Sequence, residues 1–215
     1  MTMKSSVKTS NHFHMLPKDL TNKTILEIGC WEGDVCVECV KRGAKVTGID
    51  IETSDRLIAN LENHNFEFLQ LDMFSEKFLQ LPTYDYVFCF GVLYHVENII
   101  SALTRIRTKA AQSVILENVF NNLDGPVMMY HTADTLKNNF SNWWTGTPEC
   151  FEMMMTDIGY RDITINIGTK PRDYGVSEIA FHRGYIHAST NNNTAPTDKI
   201  YSRRKDRLGI YKGKR

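Results

Sequence analysis

The stretch Thr24–Gly33, TILEIGCWEG, carries the strongest structural signal in the chain. Its apolar part, Lys23–Ile28, predicts a buried parallel strand, which Gly29 ends. The second glycine, Gly33, precedes a run with helical spacing over Asp34–Arg42. A glycine-containing turn between a strand and a helix lets the backbone approach a ligand at the top of a doubly wound sheet. The stretch therefore predicts a ligand-binding loop in an α/β fold.

The same alternation of strands and helices continues to residue 117. Apolar runs bounded by turn residues predict strands, and the stretches between them have helical spacing. Strands separated in this way indicate a Rossmann-like, doubly wound sheet with helices on both faces. The predicted strands are Lys45–Ile49, Glu67–Leu71, Tyr84–Phe90 and Ser113–Glu117, and the predicted helices are Ser54–Asn63, Glu76–Gln80 and Asn98–Lys109.

The pattern changes after residue 117. Residues 118–147 are rich in asparagine, methionine and aromatic side chains and predict an irregular insertion over one end of the sheet. Pro148, at a favoured first-turn position, predicts a helix over Glu149–Asp157. Two more strands are predicted at Ile163–Ile167 and Glu178–Arg183.

Charge is distributed unevenly along the chain. The formal net charge of the 215 residues is zero, yet eight lysines and arginines face a single acid between Lys199 and Arg215. We predict a lead-in at 1–20, one domain at 21–188 and a basic, flexible tail at 189–215. Such a tail can bind phosphates, or it can be a solvated terminus, and both interpretations stay open.

Three features bear on the cellular compartment. The sequence has no apolar run long enough to span a membrane and no apolar segment typical of a secretory signal. The five cysteines are scattered, as expected in a reducing cytoplasm. Cys36 and Cys39 form a C-x-x-C without a second pair, so we expect no metal site. The sequence predicts a cytoplasmic protein.

The charges around the glycine loop distinguish two classes of ligand. A dinucleotide places its pyrophosphate on the helix N-terminus and normally requires G-x-G-x-x-G, but Trp31 stands at the middle glycine position. Glu27 would set a negative charge beside that pyrophosphate, which is unfavourable in a partly dehydrated cleft. S-adenosylmethionine instead carries a sulfonium and an ammonium, which a carboxylate attracts. The loop therefore predicts S-adenosylmethionine as the cofactor.

Acidic residues recur at the ends of successive strands. Asp50 ends the second strand, where a carboxylate can accept both ribose hydroxyls. Asp72 follows the third strand at the height of the adenine amino group, and Met73 is available to cover the ring. Alone, each residue has an ordinary interpretation as a helix cap, a solvated acid or a core side chain. Together they predict a cofactor site formed by Glu27, Gly29, Cys30, Trp31, Gly33, Asp50, Ile51, Asp72, Met73, Phe90 and Gly91.

Three blocks of sequence resemble one group of methyltransferases. The blocks are GCWEGDVCVECVKRGAKVTGID, FCFGVLYHVENIISAL and SNWWTGTPECFEMMMTDIGY. Over residues 12–167 the chain is similar to class I S-adenosylmethionine-dependent methyltransferases, and in particular to the catalytic domain of the bacterial tRNA wobble-uridine (carboxy)methyl-transferring enzymes. The most specific matches are LYH at Leu93–His95 and NWW-x-x-x-P at Asn142–Pro148.

The resemblance implies a seven-stranded mixed sheet of order 3-2-1-4-5-7-6, with the last strand antiparallel. It also implies a cofactor cleft at the carboxyl ends of strands one, two and four. The tRNA-modifying relatives carry an additional N-terminal domain that helps to bind a carboxylated form of the cofactor, where this chain has residues 1–20. We therefore expect the plain cofactor and a small acceptor.

Two residues after the fourth strand are predicted to serve catalysis. His95 is the best-placed general base, because imidazole titrates near neutral pH. Its alternative role is to cap the next helix or to close the cofactor pocket. Tyr94 is predicted to line the methyl-transfer channel, and in the tRNA relatives the equivalent tyrosine contacts the carboxylate of the donor.

The acceptor is predicted to contact the insertion. Tyr130, Trp143 and Trp144 could stack on a planar acceptor or form a lid, and they could equally pack the insertion onto the sheet. Glu117, at the end of the fifth strand, is a second candidate base.

Three functions remain open from these residues. The first is methylation of a small molecule at oxygen or nitrogen by in-line displacement, for which positioning supplies most of the rate. The second is modification of a tRNA wobble uridine, with the tail and the paired tryptophans serving the RNA. The third is binding of S-adenosylmethionine without catalysis. The sequence favours the first.

Overall fold

The computed structural model describes residues 12–132, 140–169 and 179–190. Within these ranges the chain forms nine strands and five α-helices, which alternate as far as residue 121, with 3-10 turns at Phe13–Met15 and Leu93–His95. The strands are β1 Thr24–Ile28, β2 Lys45–Asp50, β3 Glu67–Gln70, β4 Tyr84–Phe90, β5 Ala110–Asn121, β6 Met128–Tyr130, β7 Trp144–Gly146, β8 Arg161–Ile167 and β9 Phe181–Ser189. The helices are α1 Asp34–Lys41, α2 Asp55–Asn63, α3 Glu76–Gln80, α4 Ile99–Lys109 and α5 Pro148–Asp157.

One mixed sheet organises the molecule. Its order is β3-β2-β1-β4-β5-β9-β8, in which β1 to β5 run parallel and β9 is antiparallel to both of its neighbours. The predicted α/β class and the seven-stranded order are confirmed. The hairpin β6–β7 is added to this sheet through a bridge between Phe120 and Gly146.

The boundaries predicted after residue 117 need correction. The interpretation of 118–147 as irregular is wrong in three places, since β5 continues to Asn121, β6 covers Met128–Tyr130 and Trp144 begins β7. β5 is longer because β9 pairs with it as far as Asn121. The last strand covers Phe181–Ser189 instead of Glu178–Arg183. Much of the predicted lead-in, and the tail from residue 191, lie outside the described residues.

Both faces of the sheet are covered, as the near-continuous apolar strands predict. Leu26 and Leu116 face a core that α4 and α5 complete, whereas Ile25 and Ile115 face a core completed by α1 and the segment before β1. No α-helix in the described ranges is long and apolar enough to cross a membrane.

Arg42 anchors the segment that precedes β1. Its guanidinium donates to the backbone carbonyls of Phe13, Leu16 and Pro17 at 2.8–3.0 Å, and it also pairs with Glu38. Charge-assisted bonds of this kind are stronger than neutral ones. Residues 12–20, the described part of the predicted lead-in, are therefore held against the domain by Arg42.

Arg42→Met is expected to destabilise the protein by about 2–4 kcal/mol, because three carbonyls lose their donor and Glu38 loses its partner. Lys41→Met, at the exposed neighbouring position, is the control and should change the free energy of unfolding by less than about 0.5 kcal/mol. Urea denaturation of both variants measures the difference. Equal stabilities would show that Arg42 does not anchor this segment.

Candidate functional site

The carboxyl ends of β1, β2 and β4 open into a cavity of about 1650 Å³. The loop between β1 and α1 lies against it because the amides of Gly29 and Cys30 both donate to the carbonyl of Ile49 on β2. Gly29 has φ of 73°, and a Cβ there would lie 2.3 Å from the Val92 side chain. Glycine is thus required at this position by both conformation and space.

Asp50 lies at the end of β2 on the lining of this cavity. Its Oδ2 accepts from the backbone N–H of Trp31 at 2.8 Å, and its Oδ1 accepts from that of Glu52 at 3.2 Å. A carboxylate oxygen has two lone pairs, so each oxygen retains acceptor capacity beyond these bonds. The two bonds fix the orientation of the Asp50 carboxylate on the lining of the cavity.

Glu27 occupies the base of the cavity and is almost fully buried. The thiol of Cys36 donates to its Oε2 at 2.9 Å. Burial raises the pKa of Glu27 to about 8, and the nearby charges of Asp50 and Asp34 act in the same direction. A cation placed beside this carboxyl would stabilise its ionised form.

The charge of the lining is strongly one-sided. Seven acidic side chains line the cavity, one of them the buried Glu27, whose pKa is raised to about 8, whereas Arg183 is the single lysine or arginine among the described lining residues. Such a lining attracts a cationic ligand and repels a pyrophosphate. The acids are Glu27, Glu32, Asp34, Asp50, Glu52, Asp72 and Glu97.

The ends of β3 and β4 complete this half of the cavity. Asp72 is exposed and accepts from the amide of Phe74, whereas Met73 lines the cavity but is mostly buried in the core. Phe90 and Gly91 also lie on the lining. Every residue predicted to bind the cofactor lies on this lining except Gly33, which starts α1 with φ of 77°.

Arg183, which was not predicted as a site residue from the sequence, lies in the other half of the cavity. Arg183 on β9 donates from Nη1 to both carboxylate oxygens of Glu117 at 2.7 Å, and from Nη2 to the hydroxyl of Tyr94 at 3.2 Å. Arg183 and Tyr94 line the cavity, but the fully buried Glu117 does not. Glu117 is thus held as the counter-ion of Arg183, a poor arrangement for its predicted role as a second base.

His95 lies on the lining beside Tyr94, within the 3-10 turn after β4. Its Nδ1 is 3.0 Å from the carbonyl oxygen of Ser141 and 2.9 Å from the Ser141 hydroxyl. Because a carbonyl can only accept, we assign the ring proton to Nδ1, which leaves the lone pair of the neutral ring on Nε2. In this tautomer Nε2 is the ring nitrogen that can accept a proton.

The aromatic residues of the insertion lie behind this turn. Trp143 donates its backbone N–H to the carbonyl of Tyr94, and the indole of Trp144 donates to the carbonyl of Glu97. Tyr130 packs against both indoles. None of these three aromatic residues lies on the described lining of the cavity, so contact with an acceptor stays a prediction for them.

A second aromatic group that was not predicted lines the cavity beside Arg183. His12 stacks on Phe90 with ring centroids 4.9 Å apart, and its Nδ1 lies 3.1 Å from the hydroxyl of Tyr185. His14 packs edge-on against Tyr185. The anchored segment before β1 therefore forms one wall of the half of the cavity that contains Arg183, which we call the acceptor half because the acceptor is predicted to bind there.

Comparison with known proteins identifies the family. Residues 8–163, well over half of the chain, match a family described as a methyltransferase domain. The chain belongs to the class I S-adenosylmethionine-dependent methyltransferases. S-adenosylmethionine is the cofactor of methyltransferases of this class, and the magnesium protoporphyrin IX methyltransferase of Synechocystis, which shares the fold at a TM-score of 0.54 and 18% identity, was solved with it bound.

The curated relatives of the methyltransferase have names that state different substrates. It is 30% identical over 142 residues to the tRNA U34 carboxymethyltransferase of Shewanella piezotolerans, covering 61% of this chain and 41% of that protein. It is 29% identical over 108 residues to the ubiquinone biosynthesis O-methyltransferase of Rickettsia bellii, covering 47% and 43%. The chain thus spans less than half the length of these relatives.

Solved structures share the fold of the methyltransferase. The N-terminal domain of EvdMO1, solved in the presence of S-adenosylhomocysteine and D-fucose, superposes with a TM-score of 0.62. The match covers 86% of this chain and 84% of that one at 18% identity. This similarity supports the architecture and leaves the acceptor open.

The residues of the methyltransferase fit its cofactor. The acidic lining suits a ligand with a sulfonium and an ammonium, and the fixed Asp50 carboxylate can accept the ribose hydroxyls. Across the described ranges, no group of three or more histidine, cysteine, aspartate or glutamate side chains is arranged to hold a metal ion.

Proposed function

We propose that this methyltransferase transfers the methyl group of S-adenosylmethionine to a small-molecule acceptor, at oxygen or nitrogen. The observation that carries the proposal is the acidic rim of the cavity. Glu52, Asp72 and Glu97 are exposed lining residues. A nucleic acid brought to this rim would place its phosphates beside these carboxylates, and the repulsion would weaken binding.

The size of the cavity supports the same proposal. Sites for a single small ligand usually have volumes of roughly 300–1,000 Å³. The cavity of about 1650 Å³ exceeds that range and has room for the cofactor together with a compact acceptor. The pairing of Arg183 with Glu117 leaves the acceptor half close to neutral, which suits an uncharged acceptor.

The chemistry requires positioning and removal of one proton. S-adenosylmethionine supplies an electrophilic methyl group, whose bond to sulfur breaks as the bond to the acceptor atom forms. Holding that atom about 3 Å from the methyl carbon and in line with the breaking bond accounts for most of the rate. His95 Nε2 accepts the proton that a hydroxyl or amine acceptor loses on methylation, and Ser141 keeps the proton of the neutral imidazole on Nδ1.

His95→Gln is expected to lower kcat by about 10²- to 10⁴-fold, because the acceptor proton loses its base. Binding of S-adenosylhomocysteine should change by less than about twofold, since the cofactor half stays intact. His64→Gln is the matched control, because His64 ends α2 away from the cavity lining. A His95 variant with full kcat would assign His95 to the alternative role of closing the pocket.

The acceptor class can be tested by transfer from methyl-tritiated S-adenosylmethionine into an extract of the cells that encode the protein. We expect the label in the small-molecule fraction, unaffected by ribonuclease. Label that stays with tRNA and is lost on ribonuclease treatment would contradict the proposal. Transfer to any acceptor would exclude a protein that only binds the cofactor.

A tRNA-directed carboxymethyl transfer is the second candidate, and one observation favours it. The hydroxyl of Tyr94 and the guanidinium of Arg183 lie 3.2 Å apart on the lining, where they could hold a carboxylate on the transferred group. Calorimetric titration with S-adenosylmethionine and with its carboxylated form separates the candidates. Tighter binding of the carboxylated form would favour the second, and we expect tighter binding of the plain form.

A further inference from the structure

Trp31 has an unusual combination of backbone conformation and exposure. Its φ is 50°, in the left-handed region that disfavours a side chain, and its side chain is 59% exposed. A tryptophan normally stabilises a fold by burying much of its large surface. Across the described ranges, no aromatic ring packs against this indole. Aromatic packing within the described residues therefore does not account for this side chain.

The loop imposes the conformation of Trp31. Its backbone N–H is held by Asp50 Oδ2 at 2.8 Å, and the amide of Gly33 closes a turn onto the carbonyl of Cys30 at 2.7 Å. Glycine would adopt this backbone conformation at a lower cost in conformational free energy. Backbone strain held in this way is typical of functional sites.

The surroundings of the indole determine what it could contact. Glu32 and Asp34 both pair with Arg56, whose single positive charge offsets part of their negative charge. Glu27 is different, because its described donor is the neutral thiol of Cys36. Trp31 and Glu27 both line the cavity at the β1 end. A cation bound at this end of the cavity would have both a carboxyl and an indole among the residues that line its site.

We propose that the indole of Trp31 covers the ammonium at the amino-acid end of the bound cofactor through a cation–π contact, opposite Glu27. Such contacts contribute measurably where the cation is partly desolvated. Trp31 is then a positioning residue that holds the amino-acid end of the donor. The proposal rests on the role of the cavity as the methyl-donor site and is independent of the acceptor.

The test compares two ligands that differ in the proposed contact. S-adenosylhomocysteine carries the ammonium, whereas 5′-methylthioadenosine keeps the adenosine and lacks the amino-acid end. We expect Trp31→Leu to lower the affinity for S-adenosylhomocysteine by about tenfold and the affinity for 5′-methylthioadenosine by less than about twofold. Calorimetric titration measures both affinities. Trp31→Phe, which keeps a smaller ring, should recover part of the lost affinity.

Trp31→Gly is the matched control for backbone strain. It removes the indole and relaxes the left-handed conformation, so under the proposal it should lose as much affinity as Trp31→Leu. A glycine variant that binds S-adenosylhomocysteine like the wild type would overturn the proposal, as would equal losses for both ligands or no loss. Wild-type protein that binds neither ligand would contradict the donor site itself, which is a different result.

Discussion

Replacement of Asp50 by alanine is expected to abolish detectable binding of S-adenosylmethionine, with a loss of roughly 100-fold or more in affinity. The expected loss follows from two charge-assisted hydrogen bonds to the ribose, each contributing about 1.5–3 kcal/mol. The same substitution removes the acceptor for the backbone N–H of Trp31, so the loop also loses its anchor.

The control for this variant is Asp55→Ala, an exposed acid at the start of α2 that does not line the cavity. It should bind S-adenosylmethionine within about twofold of the wild type. Calorimetric titration of the three proteins measures the affinities, and far-ultraviolet circular dichroism checks that they are folded. If Asp50→Ala is folded and binds S-adenosylmethionine with normal affinity, Asp50 is not part of the cofactor site.

Substitution of Glu27 by glutamine is expected to change how the protein responds to pH. Because burial raises the pKa of Glu27 from 4.5 to about 8, the folded protein keeps this carboxyl protonated where the unfolded chain has lost the proton. The free energy of unfolding should therefore fall as pH rises between these values, with a maximal slope of about 1.4 kcal/mol per pH unit from this group. In Glu27→Gln this contribution is absent.

The same group couples cofactor binding to proton release. At pH 7 the free protein holds Glu27 protonated, and the ammonium of the cofactor favours the carboxylate. Binding of S-adenosylhomocysteine should thus release a proton in the wild type and none in Glu27→Gln, which should also bind more weakly. Titration in two buffers of different ionisation enthalpy counts the protons. Equal proton release by both proteins would show that Glu27 does not meet the cation.

The cofactor half of the site could be predicted from the sequence because its residues follow strand ends. Glu27 and Asp50 end β1 and β2, and parallel strands bring such residues to the same edge of a sheet. Met73 shows the limit of this reasoning, because its burial in the core depends on packing that no local pattern specifies. The alternative interpretation of Met73 as a core residue is therefore correct for most of its side chain, which is buried.

The acceptor half could not be predicted in the same way. Arg183 reaches Tyr94 and Glu117 only because β9 pairs antiparallel with β5, in a register set by long-range contacts. His12 joins the cavity because Arg42 binds carbonyl groups distant in sequence, and carbonyls leave no signal in side-chain patterns. Trp144 is of a residue type that often stacks on ligands, but its indole donates to the carbonyl of Glu97, two residues after the 3-10 turn.

The most direct test of this account is calorimetric titration of the wild-type protein with S-adenosylmethionine, S-adenosylhomocysteine and NADH. The acidic lining predicts that the two adenosyl ligands bind at one site and compete with each other, and that NADH does not bind because of its pyrophosphate. Saturable binding of NADH that excludes S-adenosylmethionine would contradict the assignment of this cavity to S-adenosylmethionine.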